Sequence, residues 1–348
     1  MAQLSLAMQN DARKNHWAVS FRVLLGLYAI IPLCLFLQLL DVFFLQGWLL
    51  ENLPNSPGHF LLFQLLFGTP HILASSVLLL SNSDYLRFYQ PKLITMSLLI
   101  IAVFGVGSLW IPYNVLYVIA ASWTVYHVLK QQIGVGRSVY HLSNVSFYLL
   151  LWLSVGAGIF IYVGIFLHNS LNEQQTEWVK YLASSFSVLL ILKAVFCHFR
   201  IGNPLGKVFL WANTLLVVIS LYFYLQDYYF LAILMPRLVH DATAYIFYMT
   251  HDYNKHQVQP QNWLYRCSHR YKLPIFVVLP VLSVALTFIL QIYGNQMVSF
   301  FTEILFGIET TRAISVGLIG YLSLMHYYTE AFIWKKGSPL RQFIFFKP

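Results

Sequence analysis

The segment HDATAYIFYMTHD, from His240 to Asp252, places two His-Asp pairs eleven residues apart in a largely apolar run. Eleven residues is close to three helical turns, so His240 and His251 project from nearly one face, about 16 Å apart along the axis at about 1.5 Å per residue. One ion cannot join both unless the helix breaks between them. Asp241 and Asp252 share an adjacent face, from which a carboxylate can orient a histidine on a neighbouring helix, as carboxylates do around metal-bound imidazoles. Three more histidines lie inside apolar runs: His71 in GTPHILAS, His127 in SWTVYHVLKQQIG and His326 in LMHYYTEAF. Glu330 follows His326 by four residues and shares its helix face. Neutral imidazole with carboxylate suits iron, zinc or copper, and two or three histidines with one carboxylate suit non-haem iron.

Arg237, one turn before His240, needs a carboxylate, a carbonyl or an anionic substrate if it is buried. Asp241 lies four residues on and can serve, which leaves pairing and substrate binding as the two readings. Gln131, one turn after His127, can orient that imidazole. Tyr126, Tyr245, Tyr248, Tyr327 and Tyr328 cluster near the histidines, as tyrosines do in interfacial belts. His16, His59, His141, His168, His198 and His269 fall in loops or at helix ends, where imidazole is comfortably hydrated.

The elements that carry these residues follow from composition. Of 348 residues 59% are hydrophobic and 9% charged, and the mean hydropathy is +0.66. A soluble domain has about a quarter of its residues charged. The expectation is an all-α, polytopic membrane helix bundle, one integral membrane domain over residues 1–348. Apolar runs of about 20 residues can cross a bilayer as helices. Ten are present, at 20–42, 58–81, 92–111, 113–133, 145–168, 178–199, 205–226, 228–251, 274–293 and 311–334. Turn signals separate them: NLPNSPG from Asn52, GNP from Gly202, Pro260, and Gly294 with Asn295. The opening MAQLSLAMQNDARKNHW is polar and basic, so no signal peptide is expected. Cys34, Cys197 and Cys267 are too few and too scattered for a disulfide framework.

With the N-terminus inside, 18 of the 21 Lys and Arg residues fall on the cytoplasmic side. Lys180 and Arg312 fall outside, and Arg237 lies within a span. The asymmetry that orients membrane proteins thus places both termini in the cytoplasm. It also accounts for the net charge of +9 without nucleic acid. In this topology His71, His127, His240, His251 and His326 all lie on even-numbered spans, from mid-membrane to the cytoplasmic face.

One membrane histidine is explained by a hydrogen bond to the next helix. Five on four spans of matching polarity, with a carboxylate one turn from one of them, point to one or two metal ions. His71, His127, His240, His251 and His326 are the candidate ligands, with Glu330, Asp241 and Asp252 as acid–base partners and Arg237 as a substrate contact. No H-E-x-x-H, G-x-S-x-G or phosphate-binding glycine loop occurs. The segments GTPHILAS, ASWTVYHVLKQQIG and AYIFYMTHDYNKH resemble the Gly-x-Pro-His, Tyr-His-Phe-Gly and Tyr-Phe-x-x-x-His segments of the Brp/Blh family, integral membrane, iron-dependent enzymes that cleave β-carotene to retinal; Val128 and Leu129 stand where the family has Phe-Gly. The resemblance covers about a tenth of the chain and implies that His71, His127 and His251 bind iron.

Three functions are open. The first is a non-haem iron oxygenase-type oxidoreductase of the bacterial cytoplasmic membrane, taking dioxygen and a lipophilic small molecule that enters from the membrane lipid. The second is a proton-coupled or metal-ion transporter that uses a His/Asp relay, although no inverted repeat is evident. The third is a membrane subunit that binds haem through histidine pairs.

Overall fold

The computed structural model describes residues 16–54, 68–307, 313–335 and 337–347. His59 and the first part of the expected span 58–81 lie outside the described residues, as do Arg13, Lys14, Glu309, Arg312 and Lys336. Among the described residues the fold is all-α apart from one pair of three-residue strands. Its helices are α1 (Phe21–Leu45), α2 (Trp48–Asn52), α3 (Thr69–Leu80), α4 (Ser83–Leu109), α5 (Tyr113–Tyr140), α6 (Asn144–Phe166), α7 (Glu173–His198), α8 (Pro204–Leu225), α9 (Tyr229–His256), α10 (Trp263–Arg270), α11 (Ile275–Phe306) and α12 (Ala313–Ile333). The strands are β1 (Ala18–Ser20) and β2 (Phe345–Lys347).

Seven of these helices, α1, α4, α6, α7, α8, α9 and the Ile275–Met297 part of α11, are long and apolar enough to cross a membrane. The chain is therefore built as a multi-pass membrane protein. The other three expected spans correspond to α3, α5 and α12. The described part of α3 is short. In α5 and α12 the candidate-site side chains themselves dilute the apolar surface: His127, Lys130, Gln131 and Gln132 in one, His326 and Glu330 in the other. Among the seven, α9 has the lowest mean hydropathy and the largest buried share, 67%. It tolerates its polar residues because protein, not lipid, surrounds them.

Caps and breakers mark several helix ends. Asn172 and Gln175 form a capping box at the start of α7. Asn203 caps α8 with Pro204 in its first turn, where the missing N–H costs nothing. Pro70 likewise sits in the first described turn of α3. Gly294 and Asn295 do not make the expected turn. Helix α11 runs through both, and the chain leaves it at Gly307, in the left-handed region at φ +64°. A glycine inside an apolar helix is a weaker signal than one at its end, because neighbouring side chains can sustain the helix across it.

The chain divides into two compact units that interleave in sequence. One comprises Met1–Leu24, Thr69–Leu99 and Thr243–Pro348, the other Leu25–Gly68 and Ile100–Ala242. No single cut separates them, and α1, α4 and α9 each contribute to both.

In the first unit α3 packs on α11 and α12. Strands β1 and β2 pair in parallel, Ala18 opposite Phe345. Asn254, near the end of α9, fastens both strands' flanks: its Nδ2 donates to Trp17 O and Phe343 O, and its Oδ1 accepts from Trp17 N.

The second unit is centred on α5, α6, α7 and α8. Lipid supplies no hydrophobic drive between helices, so small residues set close approach. A Cβ at Gly156 would lie 2.7 Å from the Phe186 ring of α7, and one at Gly158 would lie 2.7 Å from Val125 of α5. Buried polar groups tie the same unit. Tyr28 donates to Gln132 and Asn213, and Asn213 donates to Tyr140. Asp41, in a π-helical turn ending α1, accepts from Leu49 N, Leu50 N and the Tyr228 hydroxyl. Its carboxylate thus satisfies the free N–H groups that open α2.

Candidate functional site

The sequence-derived residues are buried in both units. In the first, α3 presents His71 and α12 presents His326, with Nε2 atoms 2.9 Å apart and rings edge to face. The residues are 0% and 2% exposed. Ser75, one turn after His71, lies 2.7 Å from His326 Nδ1. Its own proton goes to Ile72 O. With that proton on Ile72 O, Ser75 Oγ can accept from His326 Nδ1–H, which would direct the His326 Nε2 lone pair at the His71 ring. Glu330, one turn beyond His326, has a carboxylate oxygen within 4.8 Å of a His326 ring nitrogen. The Tyr248 hydroxyl of α9 donates to Glu330 Oε1, and the Tyr248 ring stacks on Trp334.

The second unit holds His127 on α5 and His240 on α9. Their rings meet edge to face at 4.8 Å, and a nitrogen of each lies within 4.8 Å of the other's. Asp241 Oδ1 is 4.0 Å from His240 Nε2, and Asp241 Oδ2 is 3.5 Å from Arg237 Nε. Arg237 and Asp241 are both buried and neutralise each other, which realises the pairing reading for this arginine. Gln131 makes no hydrogen bond among the described residues, so it does not orient His127. Against α5, α6, α8 and Pro236 of α9 lies an apolar cavity of about 20 Å³, lined by Val125, Val128, Leu129, Ile161 and Val217 among others. One water needs about 10–15 Å³ on this measure, so the cavity admits one small group.

A further group of residues in the first unit surrounds His251. Its Nε2 is 2.7 Å from the Tyr85 hydroxyl and its Nδ1 is 2.9 Å from Asp252 Oδ1. The Tyr265 hydroxyl of α10 donates to Asp252 Oδ2. Burial, then the Asp252 carboxylate, hold the Tyr265 phenol well above its usual pKa, so it stays a donor. His256 stacks on Tyr265 and accepts the Gln261 N–H at Nδ1. Lys255 lies over the Tyr85 ring and pairs with Asp84 at 3.0 Å. Both nitrogens of His251 are thus engaged by protein groups.

Helix α9 is unbroken from Tyr229 to His256, so His240 and His251 stand at separate levels of one helix. Buried His, Asp and Glu groups that could hold a metal ion are present.

Sequence reasoning missed Ser75, Tyr85 and Tyr265. Ser75 carries a readable signal, one helical turn from His71. Tyr85 and Tyr265 carry none, since their roles arise from helix pairings that the sequence does not announce. Compared with known protein families, curated proteins and solved structures, the chain matches none.

Proposed function

We propose that the protein is a membrane-embedded metal oxidoreductase of the oxygenase type, using non-haem iron on a lipophilic substrate. The observation that carries this reading is the His71–His326 pair. Two imidazole nitrogens from different helices stand 2.9 Å apart in a buried site, less than twice a metal–nitrogen bond of about 2.0–2.1 Å. One ion can take both, and Glu330 adds the carboxylate that suits iron. His71, His326 and Glu330 would hold it, with His127, His240 and Asp241 as a further donor set for one or two ions. Iron in such surroundings supplies dioxygen activation. The chain's own groups have defined tasks: Ser75 fixes the His326 tautomer by accepting from Nδ1, Tyr248 fixes the Glu330 carboxylate at Oε1, and Arg237 neutralises Asp241. The apolar cavity beside Pro236 suits a small branch of a lipophilic substrate. The resemblance to the Brp/Blh segments supports the same class at His71 and His127. It also nominates His251, whose two nitrogens have protein partners here. Purified protein should contain iron that is lost in His71→Ala and His326→Ala and kept in His168→Ala.

We further propose ten crossings with both termini in the cytoplasm of a bacterial inner membrane. Parity supports an even number. Strands β1 and β2 lie hydrogen-bonded side by side, so the chain between them crosses an even number of times. Seven crossings are then incomplete, and α3, α5 and α12 together bring the total to ten.

A second reading, a proton-coupled or metal-ion transporter, is favoured by the Tyr85–His251–Asp252–Tyr265 hydrogen-bond chain, since such chains serve proton relays. Proton or metal flux into proteoliposomes, lost in Asp252→Asn, would support it. Metal-free protein that shows such flux would replace the first reading by the second.

A further inference from the structure

We infer that α10 is an interfacial anchor whose outer face binds the phosphate headgroups of anionic lipid. The helix lies between two long apolar helices, α9 and α11, and its faces differ sharply. Leu264, Tyr265 and Ser268 are buried, Leu264 and Tyr265 in a cluster with Ile275 against Val77, Val278 and Leu282. The opposite face exposes Arg266 and Arg270, and Lys272 follows just beyond it. None of the three pairs with a carboxylate among the described residues, and no Asp or Glu occurs between Asp252 and Glu303. Trp263, 65% exposed, and Tyr271, 68% exposed, flank these cations, and Leu273 is exposed beside them. Such aromatic side chains occupy the headgroup level of a bilayer. A short helix with a basic outer face and flanking Trp, Tyr and Leu lies in the interface plane, and anionic headgroups supply the counter-charge that the protein lacks here. The inner face of this eight-residue helix carries Tyr265, the donor to Asp252, so the lipid site and the His251 cluster are two sides of one element.

The chain provides its own probe. Cys267 is exposed on α10, whereas Cys34 and Cys197 are buried. A nitroxide on Cys267 of the full chain is compared in phosphatidylcholine vesicles and in vesicles with added phosphatidylglycerol. Anionic lipid should immobilise the label and shield it from a water-soluble relaxation agent, and about 1 M salt, where the Debye length falls to about 3 Å, should reverse this. At about fivefold per basic residue, Arg266→Gln, Arg270→Gln and Lys272→Gln together should raise the lipid fraction needed on the order of 100-fold, which removes the transition. Unlabelled Cys34 and Cys197 in that variant report an intact fold. Identical spectra in the two vesicles, or a transition that survives the triple variant, would overturn the inference. Inorganic phosphate that reproduces the immobilisation in phosphatidylcholine vesicles would overturn it in favour of a free anion.

Discussion

Replacing Ser75 by alanine tests the metal reading through a residue that would touch no metal. In the folded protein Ser75 Oγ lies 2.7 Å from His326 Nδ1, placed to accept its N–H, with both residues at least 96% buried. The bond keeps the Nε2 lone pair available. In Ser75→Ala the Nδ1–H has no acceptor at that place, and leaving a buried donor unsatisfied costs about 1–3 kcal/mol. Metal-free protein can escape the cost by moving the proton to Nε2, where the His71 ring lies 2.9 Å away. Metal-bound protein cannot, because the ion needs that lone pair. The penalty therefore falls on the bound state, and at about 1.4 kcal/mol per decade it weakens metal binding by roughly 5- to 150-fold. Losses of about 10–100-fold are usual for groups that orient a metal-binding histidine. Ser75→Thr, which keeps the hydroxyl, should recover most of the affinity. Competition with a chelator of known affinity measures the difference. If Ser75→Ala holds metal as tightly as the parent chain, His326 Nε2 is not a ligand and the His71–His326 contact is a helix-packing hydrogen bond.

Tyr248→Phe removes a donor to Glu330 and should lower iron content or thermal stability, since hydrogen bonds to charged groups contribute about 1.5–3 kcal/mol; unchanged melting and unchanged iron would remove Tyr248 from the site. Asp41→Ala should lower the melting temperature in detergent more than Asp41→Asn, because the amide keeps one of the two oxygens that hold Leu49 N, Leu50 N and Tyr228; equal losses would contradict the capping role. Gly156→Val should cost about 1–3 kcal/mol by overpacking against Phe186, and Phe186→Ala in the same chain should return part of it. A reporter fused after Pro348 should be active in its cytoplasmic form, and an external C-terminus would sink the orientation.

Much of the fold is legible in the sequence because lipid imposes length and apolarity on each crossing. The breaks at Pro260 and at Gly202–Pro204 are legible for the same reason, since a loop residue there has no apolar helix to sustain. The uniform apolarity that reveals the helices conceals their pairing. A soluble helix shows its buried face by contrast with a polar one, but a helix in lipid is apolar on both faces. Nothing in GTPHILASS indicates that His71 meets His326. The polar side chains are the exception, and they make the candidate site partly readable: His71 meets His326 with Glu330 one turn on, and His127 meets His240, which neighbours Asp241. The same residues hide their helices, since α5 and α12 lose apolarity through the groups they carry inward. Strands β1 and β2 are three residues each, too short for a periodic signal.

The central claim is that His71 and His326 share an ion. It is tested most directly by elemental analysis of the detergent-purified full chain, prepared without chelators, beside His71→Ala, His326→Ala and His168→Ala. The account predicts one or two equivalents of iron in the parent and in His168→Ala, and a loss of at least one equivalent in each of the other two. A parent chain that carries no metal after growth and purification with added iron, or single variants that keep the full complement, would contradict it.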